Sequence, residues 1–591
     1  MADEGPAPFE AFLGPLGDAV RARLAALAGT DFVARLWRRD PTLWKADERH
    51  QEVASRRLGW LGSVGVMQAS AEDLAAFARE AAGGGFRTAF LLGMGGSSLC
   101  PEVFARIFGR AESALDLVVL DTTDPAAIRA AERRHDLRSA LFLASSKSGT
   151  TVETLSLHAH FSDRLRAAGV ARPGRHFVAI TDPGSPLAEL AAAEGFQRTF
   201  LNPPDIGGRY SALSFFGLVP AALLGMGLPK LLDRASRMAS ACGPAQYPAR
   251  NAGVRLGAIL GEAALAGRDK ATFILSPRIA SFGWWVEQLL AESTGKDGRG
   301  ILPVEGEPPG PSGVYGGDRI FIYLRLRGAA NAATDAAAAA VREAGQPVVR
   351  LDLEDFYDLG GEFLRWEVAT AAAGAVLEVD PFDEPNVKES KDNTERLLGV
   401  LAAEGRLPEG EPFLRDGPIA LHAPASRAEA LRREAEGRGW TPNAAGILAA
   451  HLAAARPGDY LALMAYVARD EAHEGPLQGI RQAVRDRLRI AATLGYGPRF
   501  LHSTGQYHKG GPDKGVFLQV TAEDAEDAAV PGKPYTFAAL KKAQALGDLE
   551  ALVRRERRAL RVHLSGETAS ALQALERAIR DAAGRLPPGP A

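Results

Sequence analysis

The stretch "SALFLASSKSGTTVETLSLHAHF", residues 139–161, sets the fold class. It opens with a short apolar run bounded by polar residues, which reads as a buried strand. Its middle, "SSKSGTTVET" (145–154), places five hydroxyl side chains and Gly149 ahead of Glu153. Its end reads as a helix. Strand, Ser/Thr loop and helix make the repeating unit of a parallel α/β sheet. A loop of this composition admits two readings. As a helix cap, its oxygens accept from the first helical N–H groups. As a ligand site, those unpaired N–H groups and the positive end of the helix dipole face a phosphate. Ser146, Ser148, Thr150 and Thr151 then donate to phosphate oxygens, and Gly149 lets the backbone approach.

The flanking segments follow the same plan. "RTAFLLGMGGSSLCPEVFARIF" (87–108) reads strand, Gly-Ser loop, helix, while "LDLVVLDT" (115–122) and "HFVAITD" (176–182) read as further strands. Four strands with intervening helices predict a doubly wound parallel sheet. The loop "GMGGSS" (93–98) sits beside the first loop, and ligands of open α/β sheets bind at the carboxyl ends of strands. Neither loop is a Walker A motif or a dinucleotide fingerprint. "NPPDIGGRYSALSFFGLVPAALLG" (202–225) then reads as a Pro/Gly loop and a long apolar helix.

A second α/β unit starts near residue 269. "DKATFILSP" (269–277), "RIFIYLRLRG" (319–328) and "PVVRLDL" (347–353) read as strands. "RIASFGWWVEQLLAEST" (278–294), the Ala-rich run 329–344 and "GGEFLRWEVATAAAGAVLEV" (360–379) read as helices. The expected division is a helical segment over 1–84, α/β units over 85–256 and 257–409, and an additional α/β extension over 410–591. Within the extension, "LHSTGQYHKGGPDKG" (501–515) reads as a polar loop.

Composition narrows the class. The chain has 591 residues, 46% hydrophobic and 24% charged, which is ordinary for a globular protein. A net charge of −3 gives no sign of a nucleic-acid surface. Cys100 and Cys242 are too few for a disulfide framework or a zinc site, so a reducing cytoplasm is expected. The N-terminus shows no secretion signal. The most apolar stretch (215–229) is shorter than the roughly 20 residues a membrane span needs, and it contains Pro220 and Pro229. A buried helix is expected there.

Three further segments carry chemistry. In "EQLLAESTGKDGRG" (287–300), Gln288 and Glu292 are four apart and share a helix face. Glu292 at the helix end is either a solvated carboxylate or a general base. Arg209, after two glycines and before an apolar helix, opposes the helix dipole, so it is solvated or meets an anion. "FDEPNVKESKDNT" (382–394), read alone, is a solvated turn with Lys388 and Lys391.

"GMGGSSLCPEV", "SSKSGTTVET", "GGRYSALSFFG", "EQLLAESTGKDGRGILPV" and "FDEPNVKESK" stand in the order found in phosphoglucose isomerases, a family this chain resembles over residues 85–395. The resemblance implies two sugar-isomerase (SIS) domains, each a doubly wound three-layer α/β/α sandwich. The extension resembles the isomerase half of bifunctional transaldolase/phosphoglucose isomerases. The transaldolase half is a (β/α)8 barrel of at least about 200 residues. The 80-odd residues before the first SIS domain cannot hold it, so a stand-alone isomerase is expected.

Carried over by position, the resemblance implies a sugar phosphate held at Ser97, Ser146, Lys147, Ser148 and Thr151, with Gly96 and Glu153 around the sugar. Glu292 corresponds to the catalytic base, Arg209 to the arginine opposing the charged intermediate, and Gln288 to a polar neighbour. Lys391 corresponds to the lysine of the motif F-D-Q-x-G-V-x-x-x-K. The implied reaction interconverts glucose 6-phosphate and fructose 6-phosphate by proton transfer between C1 and C2 through a cis-enediolate. It requires no metal or redox cofactor, and no ligand set for one is read in the sequence. A homodimer is implied, with neither nucleic acid nor membrane as partner. The family draws a ring-opening histidine from the second SIS domain of the neighbouring subunit. The matching stretch here, "AAVREAGQPVVRLDL" (339–353), has none. His502 and His508 are the candidates for that role. Two other readings are an isomerase for another sugar phosphate, such as mannose 6-phosphate, and a non-catalytic sugar-phosphate sensor.

Overall fold

The computed structural model describes residues 9–590. Its strands form three sheets. The first strand, β1 (Glu10–Phe12), lies far from the others in sequence. Next come β2 (Thr88–Gly93), β3 (Asp116–Leu120), β4 (Ala140–Ser145), β5 (Phe177–Thr181) and β6 (Arg198–Leu201). They form a parallel sheet in the order β3-β2-β4-β5-β6. All residues of β2 and β4 are buried, as in strands covered on both faces. Strand order reverses between β2 and β4, and such a switch point opens a crevice at the carboxyl ends. The loops 93–98 and 145–151 leave the sheet there.

The second sheet contains β7 (Lys270–Leu275), β8 (Leu302–Val304), β9 (Arg319–Leu326) and β10 (Val348–Leu353), in the order β10-β9-β7-β8. This is the same winding with one strand fewer. β1 completes it, antiparallel on β10 with Glu10 opposite Arg350. The N-terminal region is therefore helical except for this edge strand. Its helices pack into one apolar core with both units, in which Trp60, Leu74 and Phe77 join Leu91, Leu143, Val219, Trp285 and Trp366.

The extension builds the third sheet from β11 (Leu414–Asp416), β12 (Ile419–His422), β13 (Tyr460–Tyr466), β14 (Ala491–Tyr496), β15 (Gly515–Ala522) and β16 (Arg558–Leu564). The order β14-β13-β15-β16 repeats the winding again, and the β11–β12 hairpin adds antiparallel to β16. This unit has its own core, including Leu421, Leu448, Leu463, Val520, Leu560 and Leu575. A third cluster joins it to the second unit, where Ala291, Leu302 and Val304 meet Tyr460, Phe500, Tyr507 and Phe517.

Two local expectations are corrected. The stretch 215–229 is not one helix. It forms Phe215–Leu223 and the start of Leu228–Ala241, and the chain turns at Gly225 with φ +76°. The expected polar loop 501–515 is instead a buried turn and a short helix, Gly505–Gly510. Its polar side chains find partners inside the protein: Gln506 Nε2 donates to Gly295 O at 2.9 Å and to Asn386 Oδ1 at 2.8 Å. No helix among the described residues is long and apolar enough to cross a membrane. Cys100 and Cys242 are both free and buried.

Candidate active site

The loop after β4 is organised from within. Ser146 Oγ contacts Thr151 Oγ1 at 2.8 Å and accepts the Gly149 N–H at 3.1 Å. Gly149 has φ +70°, and a Cβ there would lie 2.7 Å from Leu187 N, so only glycine fits. Ser148 Oγ pairs with Thr150 Oγ1 at 2.9 Å on the exposed side. Thr151 precedes the helix Val152–Ala167 without capping it by a side-chain bond. The first N–H groups of a 16-residue helix are thus left facing the crevice. Lys147 is turned aside: its ammonium pairs with Asp182 and donates to Pro204 O at 2.9 Å.

The loop after β2 is pressed against the rest of the site. Ser97 is buried, and its carbonyl accepts from Ser145 Oγ at 3.3 Å. A Cβ on Gly96 would fall 1.9 Å from Gly208 O, so this loop rests directly on the one carrying Arg209. A Cβ on Gly95 would lie 2.8 Å from Gln288 Nε2 and 3.0 Å from His502 Cβ. Segments spread over four hundred residues converge at these two glycines.

Glu292 lies near the end of the helix Phe282–Thr294 and is 8% exposed. One carboxylate oxygen accepts from Gln288 Nε2 at 3.0 Å, and the other lies 3.4 Å from Arg209 Nη1. Arg209 is buried. Its Nε donates to Ser293 Oγ at 2.8 Å, and its Nη2 to the carbonyls of Pro381 (2.7 Å) and Asp383 (2.8 Å). Its Nη1 also donates to Glu384 Oε2 at 3.0 Å. One guanidinium therefore serves two carboxylates. Burial, with Glu384 adding, pushes the Glu292 carboxyl above the usual range, and Arg209 only partly offsets this. Glu384 is held low: burial opposes ionisation, but Arg209 and then Arg57 overcome it. Burial alone would weaken Arg209 as a cation, yet Glu292 and Glu384 keep it charged.

His502 links this centre to the phosphate loop. Its carbonyl accepts from Gln288 Nε2 at 2.8 Å, and its Nε2 lies 3.0 Å from Glu153 Oε1. Glu153 also accepts from Gln544 Nε2 at 2.7 Å, and Gln544 Oε1 accepts the Thr123 hydroxyl at 2.8 Å. Burial raises the Glu153 pKa, but His502 more than reverses it, so Glu153 stays below the usual carboxyl range. A cleft of about 640 Å³ is lined by Thr150, Thr151, Glu153, Lys391, His502 and Gln544. Lys391 reaches it from the helix Val387–Glu404.

Thr151, Glu153, Lys391 and His502 thus line one cleft, and His502 joins it through Gln288 to Glu292 and Arg209, while Gly96, Ser97, Ser146 and Ser148 lie in the two adjoining loops. The structure does not bring His508 there. That ring lies among Tyr460, Phe500 and Phe517, neither nitrogen has a partner, and burial drives its pKa down to about 3. Sequence reading missed Glu384, Ser293 and Gln544. Glu384 was open to notice, since it stands where the family motif has Gln. Gln544 lies on the helix Phe537–Arg554 with no motif around it.

A family model described as Phosphoglucose isomerase matches residues 67–299. The Thermosynechococcus vestitus glucose-6-phosphate isomerase is 32% identical over 286 residues, covering 46% of this chain and 51% of that protein. The Symbiobacterium thermophilum glucose-6-phosphate isomerase is 32% identical over 311 residues, covering 46% of this chain and 68% of that protein. This chain belongs to the phosphoglucose isomerase family. It spans about half the length of the cyanobacterial members it matches. The fold agrees with a solved structure of a hypothetical protein from Thermus thermophilus, with TM-score 0.55 and 25% identity over 66% of this chain and 99% of that one. The family model ends before Glu384, Lys391, His502 and Gln544, so their part in the site rests on geometry.

Proposed function

We propose that this phosphoglucose isomerase family member interconverts glucose 6-phosphate and fructose 6-phosphate. The observation that carries the reading is the buried contact between Glu292 and Arg209, tied through Gln288 and His502 to the hydroxyl-rich loop. The phosphate docks on the loop 146–151 and the start of the helix behind it. The sugar extends along the cleft past Glu153, His502 and Lys391.

His502, oriented by Glu153, exchanges the proton that opens the ring, with Lys391 assisting at the ring oxygen and hydroxyls. Glu292 removes the C2 proton of the open aldose. The freed electron pair forms the C1–C2 double bond while the carbonyl pair moves onto O1, the O2 hydroxyl proton passes to O1, and the same carboxyl returns its proton to C1 as the C2 carbonyl forms. Burial raises its pKa above the usual carboxyl range, which makes the ionised form a stronger base. Arg209, fixed by four acceptors besides Glu292, opposes the oxyanion without reorganising.

The test is a coupled assay of fructose 6-phosphate with a dehydrogenase that detects glucose 6-phosphate. Wild type is expected to turn over, and Glu292→Gln to lose about 10²–10⁴-fold in kcat. Inactive wild type, or a Glu292→Gln variant as fast as wild type, overturns the reading. Faster turnover of mannose 6-phosphate would reassign the substrate while keeping the chemistry.

A further inference from the structure

Beside the site, the fold gathers three side chains that no motif links. His50, Asp380 and Asp383 each offer one ligand atom, all within 4.8 Å of one another. His50 lies on the helix Glu48–Ser55, and the two aspartates follow the helix Leu359–Leu377. We propose that His50, Asp380 and Asp383 bind a divalent first-row metal ion, best suited to Zn²⁺.

Four observations carry the site. His50 Nδ1 lies 2.7 Å from both carboxylate oxygens of Asp47. Carboxylates only accept, so Nδ1 is the donor, and Nε2 is the ring nitrogen left to face a metal ion. This is the carboxylate–histidine pairing that orients metal-bound imidazoles. Second, Nε2 lies 3.5 Å from Asp383 Oδ2. That is too long for a good hydrogen bond. It is the spacing of two ligands on one tetrahedral ion, about 3.4 Å at metal–ligand lengths near 2.1 Å.

Third, Asp380 is 2% exposed, and its Oδ2 has no partner. Its other oxygen accepts the Phe382 N–H at 2.9 Å. A buried carboxylate oxygen without a partner is costly, and a cation would satisfy it. Fourth, the neighbouring cations leave that oxygen unmet. Lys296 donates to Asp383 Oδ1 and to the Asp383 carbonyl, each at 2.6 Å, but to neither Asp380 carboxylate oxygen. Among the described residues, Lys296 is the one ammonium held between the backbone of Asp380 and Asp383 and the Asp383 carboxylate, and Arg209 contacts Glu292 and Glu384 rather than either aspartate carboxylate. A bound cation would meet the Asp380 oxygen that neither of them reaches.

The ion is a clamp, not a catalyst. It ties the N-terminal helix to the segment 380–384, whose carbonyls hold Arg209. Its binding is measured without substrate, so it stands or falls apart from the proposed activity. Metal-free full-length protein is titrated with ZnCl2 by calorimetry, and thermal unfolding is followed with and without Zn²⁺. One ion per chain is expected, with a higher Tm. His50→Ala and Asp380→Asn are expected to bind at least ten-fold more weakly, and Asp47→Asn about 10–100-fold more weakly. MgCl2 is expected to bind more weakly than ZnCl2, because one donor is imidazole. His50 is partly exposed and Asp380→Asn keeps the side chain's shape, so these variants fold; melting of their metal-free forms checks this. No saturable Zn²⁺ uptake, or equal affinity in His50→Ala, overturns the proposal and leaves an imidazolium between carboxylates. Tighter Mg²⁺ than Zn²⁺ binding overturns the role of the imidazole.

Discussion

Arg209 divides its charge between Glu292 and Glu384, and this sharing tunes the proposed base. Glu384 adds to the burial that keeps the Glu292 pKa raised. Glu384→Gln removes that charge and leaves Arg209 to Glu292, so the Glu292 pKa falls. Glu292 acts ionised, so activity is lost as pH drops through its pKa. The acid limb of the kcat/KM profile should therefore move to lower pH in Glu384→Gln, and an unmoved or upward-shifted limb rejects this account. The two candidate histidines separate just as sharply. His502→Ala is expected to slow turnover of cyclic substrate about 10²-fold, with a smaller loss on sugars presented open. His508→Phe is expected to leave turnover within a few-fold of wild type. Equal losses in the two variants would show that the contact with Glu153 does not define the role. The sequence could not choose between them, because both stand in one polar string. The difference is burial: one ring meets a carboxylate and the other meets three aromatic rings.

At the scale of elements, the site is made by loops leaving strands, and two glycines set how closely they meet. Gly96 rests on the Gly208 carbonyl, and an added methyl would have to displace backbone rather than a side chain. Gly96→Ala is expected to cost about 1–3 kcal/mol in urea unfolding and to lower kcat by moving Arg209. A variant with wild-type stability and kcat would show that the two loops are not held together as described. These loops were legible in the sequence because each is a strand–loop–helix unit whose composition departs from a plain turn. The helix Gly505–Gly510 was not. Gln506 and Tyr507 count as polar in a sequence window, but here Gln506 spends its amide on Gly295 and Asn386, and Tyr507 fills an aromatic core. Strand β1 escaped for another reason. Three residues are too few to show a period, and its pairing with β10 spans more than three hundred residues.

Taken whole, the molecule repeats one winding three times, and the third unit serves the first two. It was legible as α/β, but its purpose depended on which of its loops reach back to the crevice. Of its segments, the turn carrying His502 and the helix carrying Gln544 do so, and both side chains meet Glu153. The third unit is also where acid should act first. Burial holds His422 down to about 4 and His451 and His508 to about 3, so all three stay neutral in the fold. The unfolded chain takes up their protons near pH 6.5, and each histidine then costs about 1.4 kcal/mol of stability per pH unit until its folded pKa is reached. The second unit has the opposite bias. Burial raises Glu362 and Glu367, and with Glu305 it brings Glu287 up to about 8. The stability these carboxyls confer is present at low pH and is lost as pH rises through their folded values. Hydrogen exchange from pH 7.5 to 5, corrected for the intrinsic rate, should therefore show protection falling in β12–β16 before β7–β10. Activity should fall with the third unit, because His502 and Gln544 leave the crevice when it opens. His508→Phe should flatten the decline by one histidine's share, and protection lost first from the second sheet, or a decline unchanged in that variant, would assign acid sensitivity to other groups.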